Sequence, residues 1–147
     1  MAFLPNIIRS NVEKQIAASL SHDRIYSSGI PTFETLKRVN GVVRPYVIKR
    51  FYLPDRNGVR AVSGARNDQW RFRFDLLSVA GDEDSAYTQG LHLLDKLVGY
   101  TPAAGAGEFT ILAGTPTYVI MNTSDDPAAY VASLQFQTMF GPLDSGD

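Results

Sequence analysis

Near the amino end the apolar residues recur every four positions. Ile8, Val12, Ile16 and Leu20 fall on one stripe that Ile7 widens, while Arg9, Glu13 and Lys14 lie off it. That spacing predicts a helix over residues 6–20, entered through Pro5 and Asn6. Over residues 45–53 the period is lost. Tyr46, Val47, Ile48, Phe51 and Tyr52 make a β-branched and aromatic run that predicts a strand beginning after Pro45. Residues 69–79 alternate: Trp70, Phe72, Phe74 and Leu76 point one way and Arg71, Arg73 and Asp75 the other, until Leu77 and Val79. This predicts a half-buried strand with its aromatic side toward the core. Asp82, Glu83, Asp84 and Ser85 then supply a cap and acids for a second helix. Its expected core stripe is Tyr87, Gly90, Leu91, Leu94, Leu97 and Val98, ended by a left-handed cap at Gly99. Residues 108–123 read as a strand broken by Gly114 and Pro116, and Asp125-Asp126-Pro127 as a turn. Residues 128–140 alternate again, with Tyr130, Leu134, Phe136 and Phe140 opposite Ser133, Gln135 and Gln137, so the last two strands form an antiparallel hairpin.

Between these elements, residues 22–45 read as extended and irregular, with a turn at Asn40-Gly41, and residues 54–68 as a long loop or hairpin arm. The expected fold is α+β: one domain over residues 1–147, its antiparallel or mixed sheet of about four strands packed by two main helices. The order is α-β-β-α-β-β, with the long loop between the first two strands. Residues 1–5 and 141–147 are expected to fray. A chain of 147 residues with 44% hydrophobic and 20% charged residues is long and apolar enough for one packed core.

Charge changes this picture more than composition does. Residues 37–73 hold ten basic side chains against Asp55 and Asp68, so 10 − 2 = +8; residues 74–147 hold ten acidic side chains against Lys96, so 1 − 10 = −9. Such a split marks a basic interaction face, or a subunit whose basic side packs on a neighbour's acidic side. The arginines beside Trp70 and Phe72 raise nucleic-acid binding as an alternative. Alternation opposes it, because stacking aromatics and phosphate-binding arginines must share an exposed face.

Catalytic and metal-binding patterns fail one by one. There is no cysteine, and neither His22 nor His92 has a carboxylate at ligand spacing. Asp82, Glu83 and Asp84 read as helix capping rather than a cation site. Gly105-Ala106-Gly107 follows a helix and precedes a strand, the reverse of a phosphate-binding turn, and no nucleophile elbow is present. No catalytic residue, metal or cofactor is assigned, and the expectation is a protein that is not an enzyme. A small α+β binding module or enzyme, with a pocket between the sheet and the second helix, stays as the alternative from another class. The apolar stretch at residues 1–8 has no preceding basic residue, and no segment reaches the ~20 apolar residues of a membrane span, so the chain is expected in the cytosol when made.

Three stretches carry a family resemblance: the first helix leading into Pro45-Tyr46-Val47-Ile48; Trp70-Arg71-Phe72-Arg73-Phe74-Asp75-Leu76 leading through Gly81-Asp82-Glu83 into Leu91-His92-Leu93-Leu94; and Tyr130-Val131-Ala132-Ser133-Leu134-Gln135-Phe136. Their order and character resemble the tail terminator (tail completion) proteins of long-tailed bacteriophages and related neck proteins. The resemblance implies a structural virion protein of the tail or neck, assembled in the host cytoplasm without a membrane. It implies a ring, usually of six copies, on the head-proximal end of the tail tube. The ring stops tube growth, joins the tail to the head connector or head-closure protein, and lets DNA pass through its lumen without specific binding. Carried onto this chain, the loop between the first two strands becomes the inter-subunit or tube contact, with Asp55, Arg56, Asn57, Arg60, Arg66 and Asp68 as its polar residues. Arg71 and Arg73 become a face for the lumen or an acidic partner. A head-closure or tail-tube subunit is the neighbouring alternative.

Overall fold

The computed structural model describes residues 3–27, 38–39, 42–56, 69–112, 119–122 and 129–143. The chain runs α1 (Leu4–Ser19), β1 (Ile25–Ser27), β2 (Arg38–Val39), β3 (Val42–Val43), β4 (Tyr46–Phe51), β5 (Asp55–Arg56), β6 (Trp70–Ala80), α2 (Glu83–Leu97), β7 (Thr110–Ile111), β8 (Val119–Asn122) and β9 (Ala129–Phe140). The two helices and the long strands stand where periodicity predicts them. The expected four-strand sheet is corrected to seven strands, with β2 and β3 as a separate antiparallel pair. The strand expected over 108–123 is divided into β7 and β8, and the added strands β1 and β5 are three and two residues long. A segment that short has no alternation to read, and only its neighbours in space make it a strand.

The spine is β6 paired antiparallel with β9 over eleven residues, from Trp70 opposite Phe140 to Ala80 opposite Tyr130. Outside β6 lie β4 and, further along the same side, β5. β1 then runs parallel to β4 at the edge, so the sheet is mixed. Outside β9 lie β7 and β8, each antiparallel to it, and β8–β9 is the expected hairpin.

One sheet face carries both helices. Ile8, Val12 and Ile16 of α1 are wholly buried and pack with Phe72, Phe74 and Leu76 of β6 and Leu134, Phe136 and Phe140 of β9. Phe74 stacks on Phe136 at 4.9 Å between centroids and meets Phe109 edge-on at 5.1 Å. The other face is not uniformly polar. Tyr46, Ile48 and Val79 form a second buried cluster there with Val43 and Ala129, and Asp75 beside them is buried.

The ends expected to fray are tied together in the residues described. The Leu4 amide donates to the Leu143 carbonyl at 2.9 Å, and Leu143 packs against the core. The Gly/Ala loop is anchored next to them. Gly105 sits at φ +90°, a conformation that favours glycine, and a Cβ there would crowd the Gly141 oxygen at 3.3 Å. Its carbonyl accepts from the Gly141 amide, and the Gly107 amide donates to the Met139 carbonyl. The loop therefore closes the end of β9.

Candidate assembly surface

The predicted site residues divide into three groups. Asn57, Arg60, Arg66 and Asp68 lie outside the described residues. Asp55 and Arg56 form β5, laid against the start of β6. Arg71 and Arg73 lie on the β6 face away from the helices, as alternation predicts, because Phe72 and Phe74 are buried on the other face.

The structure brings Asp55 and Arg71 together and sets Arg56 and Arg73 against aromatic rings. Arg71 Nε donates to Asp55 Oδ1 at 2.9 Å while its Nη2 donates to Oδ2, a two-pronged pair. The Arg71 hydrogen bond holds the Asp55 carboxyl below the usual carboxylate range and raises the guanidinium's own value. Both side chains are about two-fifths exposed, so the pair contributes little to stability and mainly fixes β5 on β6. The Arg73 guanidinium lies 5.0 Å from the centroid of the Tyr52 ring, and the Tyr52 hydroxyl donates to Asp75 Oδ2 at 2.6 Å. That hydrogen bond, then burial, raises the Tyr52 phenol above its ordinary value. Arg56 turns to the helix face, its guanidinium 5.1 Å from the Trp70 ring. Alternation accounts for the facing of Arg71 and Arg73, while their partners come from other strands and leave no mark in the spacing. Trp70 is partly buried and Phe72 and Phe74 fully so, so β6 offers no exposed aromatic platform for bases.

The second helix is rotated from its expected setting. Its buried positions are Ala86, Gln89, Gly90, Leu93 and Leu97, whereas Tyr87, Leu91 and Val98 are 58%, 47% and 46% exposed. The two stripes have the same spacing and differ by one residue, or 100° around the axis, so periodicity alone fits both. A polar tether decides between them. Gln89 Nε2 donates to the Tyr46 carbonyl and to Ser78 Oγ, both at 2.9 Å, and Ser78 Oγ donates to the Ala86 carbonyl at 2.9 Å. Those groups are buried under the helix and need partners. Satisfying them turns Gln89 inward and Tyr87 and Leu91 outward. With Leu93 and Leu97 the fully buried aliphatics of α2, their burial contributes about 3–6 kcal/mol before entropy.

Two clefts flank α2. One, of about 430 Å³, lies between its first half and the end of α1, and Ser21, His22, Asp84, Thr88 and His92 reach it. His22 is fixed there. Because the Gln89 amide nitrogen is committed to Tyr46 and Ser78, its oxygen accepts from His22 Nε2 at 2.7 Å, and His22 Nδ1 accepts from the Arg24 amide at 3.1 Å. These bonds assign the neutral Nε2–H form. Burial pushes its pKa down, outweighing the Gln89 hydrogen bond, and the Arg24 charge pushes the same way. The other cleft, also about 430 Å³, is apolar and lies between α2 and β8.

Asp82 is the α2 cap, its carboxylate accepting from the Ser85 amide at 2.7 Å, and that bond is the first cause of its lowered pKa. Among the described residues no group of three His, Cys, Asp or Glu side chains converges as a metal site, and no helix is long and apolar enough to cross a membrane.

The expected charge split becomes spatial. Strands β4, β5 and β6 bear Lys49, Arg50, Arg56, Arg71 and Arg73 against Asp55 and Asp75, or 5 − 2 = +3. The α2 cap and helix bear Asp82, Glu83, Asp84 and Asp95 against Lys96, or 1 − 4 = −3, and β8 and β9 beside them carry no charge.

No family model and no curated protein matches the chain. A solved structure is similar over 93% of this chain and 96% of its own, at 21% identity and a TM-score of 0.48, a level at which the likeness carries nothing about role.

Proposed function

We propose that the chain is a ring-forming subunit of a phage tail, seated on the head-proximal end of the tail tube, where it stops tube growth and joins the tail to the head. The observation that carries this reading is the separation of net charge between elements, basic along β4, β5 and β6 and acidic along α2. A ring built from a single kind of subunit uses heterologous contacts, and each copy must then present two unlike, complementary surfaces. A basic β4–β6 side and an acidic α2 side meet that requirement. The resemblance to tail terminator proteins in element order names the ring's place. Its expected partners are further copies of itself, the tube subunit and the head connector or head-closure protein.

The test is to add the purified protein to polymerising tail tube subunits and image the product. Rings at tube ends with growth arrested support the terminator role. Incorporation along the tube rejects it in favour of a tube subunit, and a stable two-fold dimer in light scattering rejects the ring.

A second reading, a small-ligand binding module, is favoured by the hydroxyl- and imidazole-lined cleft around His22 and His92. A screen of small polar compounds by thermal shift tests it: a saturable rise in Tm that Thr88→Val removes supports the module, and no shift discards it.

A further inference from the structure

Leu53 is the most exposed large apolar residue described, at 92%. It stands on the link between β4 and β5, two strands that run in line along the same side of β6. Tyr52 before it is held by Arg73, and Asp55 after it by Arg71. The link is thus fixed on both sides of a leucine that is left in solvent. On the other side of the β6–β9 spine lies the apolar groove, walled by Tyr87, Leu91 and Leu94 of α2, by Val119 of β8, and by Ala132 and Leu134 of β9. Ala132 and Leu134 form a buried floor, while Tyr87 and Leu91 stand half out of it. Glu83 is at its rim. The groove's volume of about 430 Å³ exceeds what one leucine side chain needs.

We propose that Leu53 of one copy seats in the α2–β8 groove of a second copy. This rests on the reading that the chain assembles with itself, and it names the contact. Three observations choose a second copy as the occupant. The knob and the groove belong to the same chain but lie on opposite flanks of the β6–β9 pair, so one copy cannot satisfy itself. The surroundings of the knob carry Arg50, Arg71 and Arg73 against Asp55 and Asp75, a net positive charge that complements Glu83 of the groove. Seating also covers Tyr87 and Leu91, the residues that the Gln89 tether turns outward. The contact joins unlike surfaces, so it leaves one knob and one groove open on every pair and propagates until a ring closes.

Because the chain has no cysteine, the contact is testable by cross-linking. Leu53→Cys protein mixed with Leu91→Cys protein and mildly oxidised is expected to give a disulfide-linked pair far in excess of either variant alone, and the double variant a ladder that ends at the ring. Leu53→Asp is expected to weaken self-association roughly 10- to 100-fold, as removing a buried leucine side chain implies, with an unchanged Tm because Leu53 packs on nothing in its own chain. Leu53→Met is expected to retain assembly. Should Leu91→Cys fail to fold, Tyr87→Cys replaces it. Assembly that survives Leu53→Asp, or assembly without the mixed cross-link, overturns this contact and leaves the ring reading standing. A wild-type protein that stays monomeric at every concentration, alone and with tail tubes, overturns both.

Discussion

Gln89 shows how one side chain sets the orientation of a helix. It is the polar member of a buried stripe whose other residues are Ala86, Gly90, Leu93 and Leu97, and its amide joins α2 to β4, β6 and His22. Gln89→Leu keeps the bulk but leaves the Tyr46 carbonyl without that donor. It is expected to lower stability by about 1–3 kcal/mol in urea unfolding, the cost of a buried polar group deprived of its partner. His22 makes a different prediction. Its folded-state pKa is depressed by burial, so below the ordinary imidazole value of about 6.5 the unfolded chain takes up a proton that the folded chain does not. The contribution is complete above about pH 6.5. It is lost as pH falls toward the folded-state value. Thermal melts between neutral and mildly acid pH are expected to show Tm falling with pH, and His22→Gln to flatten that fall. Phe74→Ala, which empties the stacked and edge-on contacts with Phe136 and Phe109, is expected to cost about 3–5 kcal/mol.

Elements were legible in proportion to their length. Residues 69–79 alternate over enough positions that no other structure suits them, and β6 stands there shifted by one residue. The first helix is longer than expected at its start because Pro5 suits a first turn, where its missing N–H has no intrahelical partner in any case. The α2 boundaries follow from Asp82 and Gly99, and Asp82→Ala is expected to cost ~1 kcal/mol of stability, seen as a lower urea midpoint. What was misread is the facing of α2. Two stripes with one spacing carry equal periodic signal, and the choice between them lies in hydrogen-bond partners on β4 and β6 that are 43 and 11 residues away. The short strands were missed for a related reason: β1 exists because Val47 and its neighbours in β4 pair with it, not because of any preference in Ile25–Ser27.

At the scale of the whole molecule, the charge asymmetry has a measurable consequence. If the basic β4–β6 side meets the acidic α2 side of the next copy, assembly is expected to weaken as salt rises from about 0.05 to 0.5 M, because exposed charges are screened within a shorter distance. Light scattering over a salt series reads this directly. An assembly indifferent to salt would place the weight of the contact on the Leu53 groove alone. The split itself is visible in the chain before any folding, since every charge is counted along the sequence. Which side each half occupies is not, because β5 and β7 bring chain segments to positions that their own residues do not specify.

The amino-acid sequence by itself determined that this is an α+β chain with two amphipathic helices, a central pair of alternating strands, no thiol chemistry and two oppositely charged segments. Those properties are local or additive, and periodicity and counting capture them. Only the tertiary structure decided that the sheet has seven strands with one parallel edge, that Arg71 is spent on Asp55 and Arg73 lies on Tyr52, and that α2 turns Tyr87 and Leu91 outward. It alone placed an exposed Leu53 across the sheet from an apolar groove. Each of these depends on which distant groups meet. A buried carbonyl or hydroxyl must find a donor or acceptor wherever the fold puts one, and that partner is set by three-dimensional position rather than by spacing along the chain.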